Sequence, residues 1–192
     1  MNKFQFHKTF STPIYTSFID PKLANKIEDI IIPELSKLKY IERVNTDFFN
    51  KERTVSPSKI PSLFKFIEEE VINYSKNTYL KKGKLGQYWI QDYKNDDNHP
   101  FHCHPGATIS GVYYIRANEH AGNLQFKNPN PYIDITVWDQ EIKSLNNINY
   151  FNISPKKGLL VLFPSWLTHW ALPSDNNGCI RTSLAFNYYN ND

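Results

Sequence analysis

The chain has 192 residues, 40% of them hydrophobic and 21% charged, with a net charge of +3. That length suits one domain with a sizeable core and leaves little room for two, and that charge is too small to argue for nucleic acid or an anionic membrane as partner. Two cysteines, Cys103 and Cys179, with no C-x-x-C pair, exclude a disulfide framework and a zinc knuckle.

In chain order, Met1 to Ser17 mixes polar and aromatic residues without the apolar core of a signal peptide. No apolar run is long enough to span a bilayer, so a reducing, cytoplasmic setting is expected. Asp20-Pro21 reads as an N-cap followed by proline at the first helical position. Leu23, Ile27, Ile30, Ile31, Leu35 and Leu38 then recur at helical spacing, with Pro33 expected to kink or divide the segment. A second helix is expected from near Ser62, with Leu63, Ile67 and Val71 on its apolar face and Glu68 to Glu70 toward solvent. Lys81-Lys82-Gly83-Lys84 reads as a solvated turn.

After Gly83 the pattern changes. Gln87–Tyr93, Ala107–Ala117, Gly122–Lys127, Ile133–Trp138, Leu159–Phe163 and Ile180–Tyr188 are short, rich in β-branched and aromatic residues, and separated by Asn, Asp, Pro and Gly. Such runs predict an antiparallel sandwich or jelly roll. The expected architecture is one domain over 1–192: a helical N-terminal portion, 1–85, packed on one face of a β core, 86–189. The Asn-rich stretch Asn128–Asn152 is either a lid over a site or a plain loop.

Three of the six histidines lie in His99-Pro-Phe-His102-Cys-His104-Pro. Side chains alternate faces along a strand, so His102 and His104 point one way and Cys103 the other. Two imidazoles at this spacing chelate one metal ion if a third ligand joins them, and His169 in Phe163-Pro-Ser-Trp-Leu-Thr-His169-Trp is the natural candidate. Imidazoles suit Fe, Zn, Cu or Ni, so the ligands alone do not choose the metal. His99 and His120 are expected at the surface, His99 with the alternative of orienting a ligand; His7 carries no signal. Twelve residues after His169, Arg181, Ser183, Ala185 and Asn187 share one strand face. Arginine offers a planar fork that matches a carboxylate. A guanidinium and a hydroxyl facing a cavity that also holds a metal make a dicarboxylate site. Trp89, Trp138, Trp166 and Trp170 either rim that cavity or pack the barrel.

The stretch His102-Cys-His104-Pro-Gly-Ala-Thr-Ile-Ser110-Gly-Val-Tyr-Tyr-Ile resembles the H-x-H-P…SGVYY signature of a family of 2-oxoglutarate/Fe(II) oxygenases of bacteria and phages. Pro155 to His169 resembles its PxxG…LFPSWLxH segment, and Arg181-Thr-Ser183…Phe186-Asn187 its closing RxS…FN. The resemblance implies a double-stranded β-helix and a dioxygenase with Fe(II) and 2-oxoglutarate as cofactors. It would hydroxylate an unidentified small-molecule or peptide substrate with O2, releasing succinate and CO2, in the host cytoplasm if the gene is a phage's. His102, His104 and His169 would be the metal-binding and catalytic residues. Arg181 and Ser183 would clamp the far carboxylate, with Tyr113 or Tyr114 as a further contact. The wider superfamily usually has a carboxylate where His104 stands. Either His104 ligates directly, or Asp92, Asp96, Asp97 or water supplies the position. Two other readings stand beside this one. A cupin-type metalloenzyme would normally have a glutamate ligand soon after H-x-H, and Pro105 to Ile115 has no acidic residue. A jelly-roll binding or virion module would leave Arg181 and Ser183 unexplained. Oligomeric state is open, a homodimer included.

Overall fold

The computed structural model describes residues 11–38, 52–94, 97–133, 135, 148–174 and 180–190. His7, Asp96, Trp138, Cys179 and the middle of the Asn-rich stretch lie outside them.

Helix α1 spans Pro21–Leu35, and the Asp20 side chain accepts from the backbone N–H groups of Lys22 and Leu23, as an N-cap should. It buries Ala24, Ile27, Ile31 and Leu35. Pro33 does not divide the helix. It sits in the last turn, where its missing N–H leaves only the Asp29 carbonyl without its helical donor. Helix α2, Pro61–Thr78, also opens on proline and buries Leu63, Ile67, Val71 and Tyr74. No described helix is long and apolar enough to cross a membrane.

The described residues form ten strands in chain order: β1 Tyr15–Phe18, β2 Glu52–Arg53, β3 Lys84–Lys94, β4 His99–His102, β5 Ala107–Arg116, β6 Leu124–Lys127, β7 Tyr150–Ile153, β8 Leu159–Pro164, β9 His169–Ala171 and β10 Ile180–Tyr189. A six-stranded sheet has the order β1-β8-β5-β10-β3-β2, and a four-stranded sheet the order β4-β9-β6-β7. Every pairing is antiparallel. This is the expected mainly β architecture with a few helices. Two of the large sheet's strands, β1 and β2, come from the stretch expected to be helical. Ile133 lies in a turn rather than a strand, and the rest of the strand expected through Trp138 falls mostly outside the described residues. Tyr150–Ile153 closes the small sheet at the end of the Asn-rich stretch. Lys82 is not merely solvated: it pairs with Glu68 of α2.

The large sheet has two apolar faces. On one, Ile90, Ile109, Tyr113, Ile115, Leu160, Leu162, Leu184 and Tyr188 form one core with the buried faces of α1 and α2. On the other, Tyr114, Val161 and Phe163 meet Leu124 and Phe126 of the small sheet. The helices therefore brace one sheet from outside and leave the space between the sheets to the site.

One buried polar knot joins four elements. Arg53 of β2 forms an ion pair with Asp92 of β3 and donates to the carbonyl of Leu35 at the end of α1 (2.7 Å). Thr182 of β10 donates to the same aspartate (2.8 Å). Removing one partner of a buried pair strands the other charge. Asp92→Ala is therefore expected to cost about 3 kcal/mol in urea unfolding, below the top of the range because Arg53 keeps Leu35. Metal affinity should be unchanged.

Candidate metal and cosubstrate site

Between the sheets, His102 of β4 stands directly opposite His169 of β9, and His169 is in turn opposite Phe126 of β6. Strand β4 ends at His102, so the strand expected to run on through His104 does not. His104 reaches the site by another route. Its backbone N–H donates to Ser165 O (2.9 Å), which ties it to the turn leading into β9. Gly106 then takes a left-handed φ of 83° that turns the chain into β5. Ser165 is itself fixed from the large sheet. Its hydroxyl stands 2.9 Å from Ser110 Oγ, and Ser110 donates to Asn187 Oδ1 (2.7 Å).

The ligand atoms of His102, His104 and His169 all lie within 4.8 Å of one another. Ring centroids are 4.1 Å apart for His102–His169, 4.9 Å for His102–His104 and 5.2 Å for His104–His169. The Nδ1 atoms of His102 and His169 contact the carbonyls of Pro100 (2.8 Å) and Leu167 (2.9 Å). A carbonyl only accepts, so each Nδ1 carries the proton and each Nε2 presents a bare lone pair, the form that ligates a metal. Burial holds both imidazoles below the ordinary histidine range, His169 well below it, where His102 nearby adds to the effect. Phe163 packs edge-on against His169 at 4.6 Å and Trp89 against His104 at 6.0 Å. Cys103 is exposed, facing away as expected.

At the far end of the same cavity, Arg181 is 1% exposed. Its guanidinium lies 4.2 Å from the centre of the Tyr93 ring, and its Nη1 donates to Gly122 O. Its Nη2 is buried with no hydrogen-bond partner among the described residues. A buried cationic donor left open is costly unless an anion meets it. Ser183 and Tyr114, adjacent across β10 and β5, line the same space. Burial pushes the Tyr114 hydroxyl up to about 12, with Arg181 pulling the other way, so it stays a donor. Gly122 is required where it stands: a Cβ there would lie 2.1 Å from Leu172 O.

The structure thus brings together His102, His104, His169, Arg181, Ser183 and Tyr114. It does not bring Tyr113, which points to the helix side with its hydroxyl buried and without a hydrogen-bond partner among the described residues. Asp92 is bound to Arg53 and Thr182 on that same side, and Asp97 is not part of the histidine cluster. Among the described residues, none that lines the cavity is acidic. Trp89 lines the cavity, Trp170 packs on Phe101 outside it, and Trp166 is exposed. His120 stays near the surface beside Glu119. His99 overturns its expectation: it is 5% exposed and lines the cavity.

A family model described as "Putative 2OG-Fe(II) oxygenase" matches residues 87–187, just over half of the 192-residue chain. The chain belongs to this family of 2-oxoglutarate/Fe(II) oxygenases and is a dioxygenase whose cofactors are Fe(II) and 2-oxoglutarate. Similar solved structures share the fold across nearly all of the chain. A Pseudomonas putida prolyl-4-hydroxylase is 14% identical, with a TM-score of 0.64 and 95% of each chain covered. A Trichoplax adhaerens prolyl hydroxylase, solved in complex with a hypoxia inducible factor peptide fragment, is 12% identical at TM-score 0.65, covering 95% of this chain and 84% of that one. The viral collagen prolyl hydroxylase of Paramecium bursaria Chlorella virus-1, a 2-oxoglutarate complex, is 17% identical at TM-score 0.53, covering 90% and 94%. A search of curated proteins finds no match.

Because Cys103 faces solvent between two candidate ligands, Cys103→Ser should bind Co(II) within about twofold of the parent, measured by titration of the metal's visible absorption.

Proposed function

We propose that His102, His104 and His169 hold the Fe(II), that Arg181, Ser183 and Tyr114 hold the far carboxylate of 2-oxoglutarate, and that the reaction hydroxylates a C–H bond of a small molecule or peptide. The observation that carries this assignment is one cavity with two unmet demands: bare Nε2 lone pairs at one end and an open buried guanidinium nitrogen at the other. When bound, the metal and the keto acid supply oxygen activation, with succinate and CO2 as co-products.

The chain's own groups perform the rest. The two carbonyl-bonded imidazoles are held in one tautomer, so the metal finds its ligands already oriented. Arg181, fixed by the Tyr93 ring and Gly122 O, receives the carboxylate without rearranging. Phe163, Leu124, Val112 and Trp89 keep water from the cavity walls. The peptide seen on one structural neighbour makes peptides a sensible part of any substrate search. The cupin reading is not favoured, because no acidic side chain among the described residues lines the cavity.

The deciding experiment is an anaerobically purified, iron-loaded protein given 2-oxoglutarate and O2 and screened for metabolites and peptides that stimulate succinate formation. His102→Ala or His169→Ala should each abolish Fe(II) binding; retention of metal by the double variant would overturn the ligand assignment. Truncating one partner of a buried charge pair costs about 2–5 kcal/mol. Arg181→Ala should therefore raise the 2-oxoglutarate requirement by about two orders of magnitude or more, with iron binding intact and lysine rescuing only in part. His104→Asp keeps a donor that suits iron. It should still bind Fe(II), more weakly than the parent because the shorter side chain must draw the backbone inward, and more tightly than His104→Ala. Parent-like iron affinity in both variants would remove His104 from the ligand set.

A further inference from the structure

The turn between β8 and β9 holds two of the three clustered histidines at once. At its start, the Ser165 carbonyl accepts the His104 backbone N–H (2.9 Å). Two residues on, the Leu167 carbonyl accepts the Nδ1–H of His169 (2.9 Å). The ladder that sets His102 opposite His169 ends before His104, so this turn fixes how the His104 and His169 rings stand to each other. Its far end is tied to the small sheet, where Lys127 N–H donates to Thr168 O (2.9 Å). Its near end is tied to the large sheet at two points. One is a backbone bond, from Ser165 N–H to Thr108 O (3.2 Å). A turn held there by one bond could pivot and carry the Ser165 carbonyl with it. The Ser165 hydroxyl supplies the second point.

That hydroxyl opens a relay. Ser165 Oγ lies 2.9 Å from Ser110 Oγ, and Ser110 Oγ lies 2.7 Å from Asn187 Oδ1. Ser110 has one hydroxyl hydrogen and the amide oxygen only accepts, so Ser110 donates to Asn187 and Ser165 donates to Ser110. Ser110 of β5 and Asn187 of β10 are direct cross-strand partners. None of the three side chains is more than 1% exposed. The amide nitrogen of Asn187 is buried with no hydrogen-bond partner among the described residues. Turned the other way, the amide would leave its oxygen open instead, so one polar atom goes unmet in either setting. That is costly. A leucine, branched at the same carbon, would fill the place without the cost. The fold alone gives no reason for an asparagine there; the anchor it offers Ser110 does.

We propose that Ser110 and Asn187 are positioning residues for the metal centre: through Ser165 they fix the turn that seats His104 and orients His169. This rests on the ligand assignment of the preceding subsection. It gives the end of β10 a part in the metal site, while its beginning carries Arg181.

The test uses the full chain and two readouts: titration with Co(II), whose visible absorption reports its ligands, and urea unfolding of the metal-free protein. The triple variant Ser110→Ala/Ser165→Ala/Asn187→Leu replaces the whole relay by apolar groups, a change that is close to neutral for a buried hydrogen-bonded set. Its metal-free form should unfold at the parent's urea midpoint or above. Its Co(II) affinity should fall about tenfold, the low end for groups that orient a metal's ligands, and its Co(II) band should change. Ser165→Ala alone, which removes a single oxygen, should show the same change of band. Parent-like affinity and band in the triple variant would reduce the relay to packing and overturn the proposal. So would a loss of metal binding matched by an equal loss of metal-free stability, since the three residues would then serve the fold and not the site. His104→Ala separates this proposal from the reading beneath it. If His104→Ala weakens Co(II) and the triple variant does not, the relay falls and the ligand set stands. If His104→Ala binds Co(II) as the parent does, His104 leaves the ligand set and the proposal goes with it.

Discussion

The pairing of β4 with β9 is the contact on which the site depends. It sets His102 opposite His169, two residues far apart in the chain, and antiparallel pairing holds such opposed residues face to face. His104 then needs only a tether, which Ser165 O provides from the turn just before β9. That turn is pinned by Ser110 and, through it, by Asn187. The large sheet thus sets the position of a histidine that belongs to neither sheet. His102, His169 and Arg181 take their geometry from strands, and sites on strands are held more precisely; His104 is held from the turn.

Electrostatics runs in one direction through the cavity. The described walls carry imidazoles, hydroxyls, amides and one guanidinium, with no acid among them. Asp92, between the cavity-lining Gln91 and Tyr93, closes a knot behind the sheet, and Glu68 answers Lys82 and Tyr188 on the helix side. Such a cavity suits a dianion, and 2-oxoglutarate is one. The proposed three-histidine ligand set is neutral and would leave the whole negative charge around the metal to be supplied by what binds there.

Much of this was legible in the sequence because the signals were periodic. Richness in β-branched and aromatic residues over Ala107–Ala117 and Ile180–Tyr188 marked strands that run over Ala107–Arg116 and Ile180–Tyr189, and the spacing of Leu63, Ile67 and Val71 marked a helix. What escaped was set by tertiary pairing. β1 and β2 are short and take their conformation from β8 and β3, so their own residues say little. His99 was misplaced because nothing local distinguishes it from a surface histidine. Its burial follows from Ala171 lying opposite it across the ladder. Tyr113 and Tyr114 are neighbours in sequence with equal claims, and only the register of β5 against β10 decides that Tyr114 faces the cavity. The expectation of a strand through His104 gave the right face for the wrong reason, since β4 has already ended there.

The central place of β10 has a consequence for how this enzyme can change. Its neighbours on both sides, β5 and β3, are long. Its residues serve two masters in alternation: Arg181, Ser183 and Ala185 line the cavity, while Leu184 and Tyr188 pack under the helices. A one-residue insertion or deletion would exchange the two sets, putting a guanidinium into the helical core and leucine into the cavity. Divergence along this strand is therefore confined to substitution. New chemistry in relatives should arise instead where length is free to vary, in the connections that leave the small sheet.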